Sequence, residues 1–329
     1  MDPLAELRRR ARSGEAEAQL ALGARLMVAD GVPLDAEEGG ALLEQASAQG
    51  SADAAALLAT IEAMGAGRWQ SWERAFDLLA LAAERGSASA QGQLTLLNRD
   101  ATLAACDWQK IRAGLDIAAL TAPPERHSLS DTPRVRAIPG FASPAECAWV
   151  IARGQGRMRP AMIIDHGTGG EASHPSRTNK ALELLVTGMD VVLQVLRARV
   201  AAATKLPPPV FEPAQIMHYA PGEEFRPHYD FLTPDSPGMA AQLARYGQRI
   251  ATFILYLNDD FEGGETEFPQ AGISHRGAAG DALLFANVDG AGAPDPLTRH
   301  AGRPPTSGEK WILSQWIRDR SPGPPEEGA

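Results

Sequence analysis

Along residues 1–98 the apolar positions recur at helical spacing. Leu42, Leu43 and Ala46 stand at i, i+1 and i+4, and Leu78, Leu79 and Ala82 repeat those offsets. A longer period overlies the short one. Gly14, Gly50 and Gly86 are 36 residues apart, and the same step carries Ala18 to Ala54 to Ala90, Leu22 to Leu58 to Leu94, and Leu7 to Leu43 to Leu79. A period of roughly 30–40 residues with helical punctuation predicts stacked helix pairs. Each glycine is expected to end a helix, because glycine tolerates the left-handed C′ conformation.

The pattern changes further along. A helix is predicted around Thr102–Leu120, followed by a linker in TAPPERHSLSDTP, so the domain boundary is expected near residues 121–133. RVRAIPGF starts as a strand. SPAECAWVIARG predicts a helix with Ser143 as N-cap and Pro144 at its first position. Residues 180–203 carry Leu182, Leu185, Met189, Val192, Leu196 and Val200 at i, i+3 or i+4 spacings, which predicts one long amphipathic helix. Short β runs follow: EPAQIMHYA, FRPHYDFL, RIATFILYLN, GETEF, DALLFAN and KWILSQWIR. Their Gly, Asp, Asn and Pro breaks predict a β-sandwich or barrel with helices on one side. The expected organisation is helical repeats over 1–98, a helix and Pro-rich linker over 99–133, a β-rich domain over 134–320, and a disordered tail, SPGPPEEGA, over 321–329.

Composition narrows the classes. The chain has 329 residues, 44% apolar and 22% charged, as expected for a folded protein of about two domains. Lys plus Arg is 31 against 41 for Asp plus Glu, a net charge of −10. That opposes a phosphate-backbone partner, so nucleic acid is not expected. Two cysteines, Cys106 and Cys147, exclude a disulfide framework and a thiolate-rich metal site. The N-terminal segment has no apolar signal core and no long uncharged apolar run occurs, so the expectation is no membrane and a cytoplasmic address.

The candidate chemistry lies in the β-rich part. His228-Tyr229-Asp230 is expected within a strand, where residues i and i+2 project from one face. An imidazole and a carboxylate so placed supply two ligands of a 2-His-1-carboxylate facial triad, and Tyr229 would point into the opposite packing layer. A lone H-x-D is weak by itself and requires a distant third ligand. His218 is set aside because it lies just upstream on a neighbouring strand, His127 lies in the linker, and His166 and His174 lie in a Gly-rich loop, which leaves His275 and His300. His300 is favoured, since Lys310 follows it by ten residues, whereas Phe285 follows His275. A cation there would suit the far carboxylate of a dicarboxylate co-substrate.

QIMHYAPGEEFRPHYDF, RIATFILYLND, GGETEFP, GDALLFAN and the final His300-x9-Lys310 strand, with IPGFASPAEC and SRTN upstream, resemble the 2-oxoglutarate, Fe(II)-dependent dioxygenases of the prolyl 4-hydroxylase type. The resemblance covers about residues 134–319. It implies an α+β chain whose catalytic domain is a double-stranded β-helix (jelly-roll) with flanking helices. It implies iron on His228, Asp230 and His300, 2-oxoglutarate on Lys310 with a hydrogen bond from Tyr219, and often a dependence on L-ascorbate. The implied reaction consumes O2 and 2-oxoglutarate, releases succinate and CO2, and hydroxylates an unactivated C–H, such as C4 of a prolyl residue in a peptide or protein. Asp230, where a small residue would admit halide, implies hydroxylation rather than halogenation. The segments ARSGEAEAQLALG, ASAQGSADAAALLA and LAAERGSASAQGQL resemble Sel-type repeats, relatives of the tetratricopeptide family, which implies a scaffold that docks a protein partner. The plainer reading of these helices is a cap on the catalytic domain.

Other residues divide between function and packing. Arg177 in SRTN is a candidate substrate contact or a surface arginine. Trp316, six after Lys310 on one strand, is a candidate pocket wall or a core side chain. Arg249 is expected to be structural and Gly263-Gly264 to form a turn. Residues 232–248 are a candidate lid or a plain surface loop. Two rival readings are a small-molecule hydroxylase on the same scaffold and a non-catalytic jelly-roll docked by its repeats.

Overall fold

A computed structural model describes residues 2–100, 106–164 and 170–321. The chain divides into two compact units, one of residues 1–122 with 185–199, the other of residues 123–184 with 200–329. Among the described residues no helix is long and apolar enough to cross a membrane.

The first unit is built from helix pairs: Pro3–Arg12 with Ala16–Leu26, Ala36–Ala48 with Ala52–Met64, and Trp72–Glu84 with Ala88–Leu97. The turn inside each pair carries Gly14, Gly50 or Gly86, at φ +90°, +102° and +87°. Side chains strain in that conformation, which explains the glycine column of the 36-residue step. Ser51 and Ser87 follow the second and third glycines, and their hydroxyls accept from the amides of Ala54 and Ala90 to cap the next helix. The repeating Ala54, Ala90, Leu58 and Leu94 are all buried. Small and large side chains therefore alternate across the helix contacts, and the longer period is a packing period.

The long helix predicted over 180–203 is not formed as one element. Lys180–Glu183 is a strand, Val186–Gly188 a single 3-10 turn, and the α-helix runs Val191–Thr204. Asp190 accepts from the amide of Leu193 and starts the helix there. Upstream, pairing of Leu182 with Ile216 and Ala181 with Met217 prevails over the helical spacing, because a sheet edge offers backbone partners that the pattern does not reveal. The amide of Val191 also donates to Gln93 Oε1 at 2.9 Å, so the first half of this helix belongs to the helical unit rather than to a contiguous domain over 134–320.

Three further expectations change. The linker contains a strand, His127–Asp131, paired with Arg134–Ile138 as a hairpin. The helix expected at Thr102–Leu120 is two short ones, Trp108–Ala113 and Ile117–Thr121, separated by Gly114 and capped afresh by Asp116; residues 101–105 lie outside the described residues. The candidate lid is mostly a helix, Pro237–Tyr246, capped by Ser236. The tail beyond Ser321 lies outside the described residues.

The double-stranded β-helix of the second unit is built on two antiparallel sheets, beside which stand two two-stranded pairs. The larger has eight strands, in the order His127–Asp131, Arg134–Ile138, Ala282–Ala286, Arg249–Tyr256, Lys310–Arg318, Gln215–Tyr219, Lys180–Glu183 and Arg159–Pro160. The smaller has four, in the order Ile273–His275, Thr266–Phe268, His300–Gly302 and Phe225–His228. Alternate residues of each face inward. Val135, Met217, Ile254, Leu283, Phe285 and Ile312 of the larger sheet meet Phe268 of the smaller, with Phe268 and Phe285 edge to face at 5.0 Å. Ser143, as predicted, caps Pro144–Gly154, and Glu146 closes a capping box with it.

Candidate active site

The site lies inside this sandwich and takes its ligands from both edges of one strand pair. His228 ends the strand Phe225–His228 and His300 begins His300–Gly302, and the two are direct cross-strand partners. Such partners place their side chains on one face. Asp230 lies two residues beyond the strand end, 3% exposed, with Oδ1 3.5 Å from His228 Nε2 and Oδ2 3.5 Å from His300 Nε2. The ligand atoms of the three residues lie within 4.8 Å of one another, and no other such cluster of three occurs among the described residues.

Tyr229 departs from its expected place. The strand has ended at His228, so Tyr229 is 37% exposed and packs on Phe231, rather than entering the opposite layer. His275 stands apart, against Tyr256 on the outer strand of the smaller sheet. His127 is exposed, His166 lies outside the described residues, and His174 is exposed beside the mouth of the site.

Both ligand histidines are oriented from behind. His228 Nδ1 lies 2.8 Å from the Arg226 carbonyl and His300 Nδ1 lies 2.9 Å from the Thr298 carbonyl. A carbonyl only accepts, so each Nδ1 carries the proton and each Nε2 presents a lone pair. Burial, with the nearby His228, lowers the His300 pKa to about 4, which keeps that ring neutral. Burial works to raise the Asp230 pKa, but His300, His228 and Arg249 outweigh it and hold the carboxyl well below its usual range. Two imidazoles and one carboxylate, on a single face, form the donor set of a non-haem Fe(II) centre with open positions. Iron bound there would supply the activation of O2.

A narrow crevice leads from the three residues to Lys310, lined by Tyr219, Thr266, Ser314 and Trp316 among others. Lys310 is 1% exposed and its ammonium donates to the Gly264 carbonyl at 2.7 Å. Desolvation lowers its pKa to about 8. A buried cation without a carboxylate partner at its tip suits an anion entering the crevice. Tyr219 is the cross-strand partner of Lys310, and burial pushes its phenol up to about 12, so it is a neutral donor. Gly264 sits at φ +71°, and a Cβ there would meet the Phe261 ring at 2.8 Å and Lys310 Cδ at 3.3 Å. Glycine is thus required where the backbone closes on the cation.

The other side opens to a mouth cavity of about 440 Å3. Arg177 lines it but is not a surface residue. It is 6% exposed, donates to the Met162 carbonyl at 2.7 Å and Gln215 Oε1 at 3.0 Å, and lies over the Phe225 ring at 4.9 Å. Phe225 in turn stacks on His228 at 3.5 Å. Arg249 also lines the mouth, bonded by two donors to Glu212 and 4.4 Å over Trp316. Trp316 walls both crevice and mouth, and its buried Nε1 has no partner among the described residues. Leu232, Thr233 and Met239 bring the candidate-lid segment to the rim. Sequence reasoning missed Thr252, which donates to Asp230. Its signal was a polar side chain in register with inward-facing Ile254 and Tyr256 in RIATFILYL.

Comparison with known proteins places the chain. The profile of the 2OG-Fe(II) oxygenase superfamily matches residues 214–318. Prolyl 4-hydroxylase 1 of Arabidopsis thaliana is 32% identical over 207 residues, covering 59% of this chain and 71% of that protein. Probable prolyl 4-hydroxylase 6 of the same plant is 34% identical over 214 residues, covering 59% and 72%. A viral collagen prolyl hydroxylase from Paramecium Bursaria Chlorella virus-1 has 25% identity and a TM-score of 0.43, covering 58% of this chain and 98% of that one. Over the helical part, a Sel1 repeat protein from Oxalobacter formigenes has 26% identity and a TM-score of 0.30, covering 36% and 96%. The chain belongs to the 2OG-Fe(II) oxygenases. Within them it is a 2-oxoglutarate-dependent dioxygenase of the prolyl hydroxylase type.

Proposed function

We propose that the protein 4-hydroxylates a prolyl residue of a peptide or protein, with Fe(II) on His228, Asp230 and His300. The carrying observation is the joint placement of that triad, a buried Lys310 at the closed end of one crevice, and an open, aromatic-walled mouth on the other side. Three protein ligands leave positions for 2-oxoglutarate and O2. Lys310 and Tyr219 hold the far carboxylate of 2-oxoglutarate. The substrate enters past Tyr229, Arg177 and Trp316, where an extended peptide can lie along the mouth. The prolyl 4-hydroxylase relatives favour a prolyl target. L-ascorbate would sustain turnover by keeping the metal reduced. The helical repeats, with Trp69 94% exposed, would dock the partner that carries the target.

The test incubates the protein with Fe(II), 2-oxoglutarate, ascorbate and Pro-rich peptides, and reads succinate and peptide mass. One added oxygen on proline, stoichiometric with succinate, supports the reading. Succinate coupled to oxidation of a small molecule, with every peptide unchanged, refutes the prolyl assignment.

A further inference from the structure

Asp230 is held by a hydrogen-bond relay. Thr252 Oγ1 donates to Asp230 Oδ2 at 2.6 Å, and Asn287 Nδ2 lies 3.0 Å behind the same hydroxyl. Thr252 is 1% exposed and Asn287 fully buried. An ionised carboxylate only accepts, so the single Thr252 proton is committed to Asp230. Asn287 must then donate to Thr252, which decides the orientation of its amide. Its Oδ1 is left buried with no partner among the described residues. A buried orphan acceptor is destabilising, so packing alone does not account for an asparagine here.

The backbone of Asn287 is anchored at both ends. Its amide donates to the Ile250 carbonyl at 2.8 Å, on the strand that carries Thr252, and its carbonyl accepts from the Asp295 amide at 3.1 Å. Asp295 in turn accepts from Thr298 Oγ1 at 2.6 Å, and Thr298 is the residue whose carbonyl orients His300. The side chain of Asn287 is therefore presented from a fixed backbone to a fixed hydroxyl.

We propose that Thr252 and Asn287 are positioning residues that act in series to set the rotation of the Asp230 carboxylate toward the metal. Without the relay the carboxylate can turn about its Cβ–Cγ bond, and the facial arrangement loosens. The proposal rests on the reading of His228, Asp230 and His300 as metal ligands.

Co(II) titrated into the apoprotein tests it, through affinity and the ligand-field bands in the visible spectrum. Circular dichroism checks that each variant is folded. Thr252→Val and Asn287→Leu are each expected to weaken Co(II) binding roughly 10- to 100-fold, the usual consequence of losing an outer partner of a ligand, and to shift the bands. Thr252→Ser keeps the hydroxyl and restores both. The double variant loses less than the sum of the two, because the residues act in series. Should Asn287→Leu not fold, Asn287→Asp serves instead: of the same shape, it draws the Thr252 proton from Asp230, and affinity falls. Wild-type affinity and spectrum in Thr252→Val and in the Asn287 variant, beside a His228→Ala protein that has lost Co(II), overturn the relay and leave the ligand assignment standing. Wild-type Co(II) binding by His228→Ala overturns the ligand assignment, and the relay with it.

Discussion

His228 and His300, 72 residues apart in sequence, are direct partners across two antiparallel strands, with ring centroids 4.3 Å apart. This register makes the site, since a slip of one residue would turn either ring to the other face of the sheet. His228→Ala and His300→Ala are each expected to abolish Fe(II)-dependent succinate release and to lose bound iron. His275→Ala is expected to retain both. Metal content measured beside succinate yield checks this, and iron loss in His275→Ala with retention in His300→Ala would reverse the assignment.

Lys310 is separated from the triad by the crevice, so its loss should act on the co-substrate alone. Lys310→Ala is expected to weaken 2-oxoglutarate binding by about 2–5 kcal/mol, the range for truncating one partner of a buried charge pair. Iron binding stays unchanged. Anaerobic titration of the Fe(II) protein with 2-oxoglutarate reads the affinity directly, and an unaltered value would locate the anchor elsewhere.

The same residue predicts a pH dependence. Burial lowers the Lys310 pKa to about 8, and a dianion held there as proposed would bind the ammonium form. Below pH 8 the group is charged and affinity is level. Above pH 8 the charge must be restored on binding, so affinity falls, approaching tenfold per pH unit. The fall should vanish in Lys310→Arg if that variant still binds, because guanidinium does not titrate there. A flat profile to pH 10 in the wild type would contradict this account.

In the helical unit, Leu58 is 1% exposed and stands in one column of the 36-residue step. Leu58→Ala is expected to cost about 2–5 kcal/mol through lost burial and the cavity left behind. Thermal unfolding would show it as a lowered midpoint. The isosteric Leu58→Met should cost less than about 1.5 kcal/mol. Equal midpoints for the Ala variant and the wild type would show that this column does not carry the packing.

Much was legible in the chain where the controlling interactions are local or periodic. The glycine, alanine and leucine columns gave the helix pairs, because one turn geometry and one packing contact recur every 36 residues. The order of short β runs and the H-x-D and H-x9-K spacings, read through the resemblance to the 2-oxoglutarate dioxygenases, singled out His228, Asp230, His300 and Lys310, which the fold brings to one crevice. Positions 180–190 misled, since apolar residues at helical spacing are equally at home in a strand when a neighbouring strand offers its backbone. Tyr229 misled for a related reason: alternation holds only as far as the strand does, and this one ends at His228.

What the sequence by itself determined was the set of chemical groups and the local elements that carry them: imidazoles, a carboxylate, a lysine, and a repeat with its own turns. Only the tertiary structure decided which of those groups meet. Cross-strand register paired His228 with His300 and Tyr219 with Lys310, and the fold buried the Lys310 ammonium against the Gly264 carbonyl, with no carboxylate at its tip among the described residues. It also revealed Thr252 and Asn287 behind Asp230 and, of the two readings of Arg177, set aside the surface arginine, since its side chain is a buried wall of the mouth. Long-range pairing and desolvation depend on residues far apart in the chain, and no local pattern encodes either.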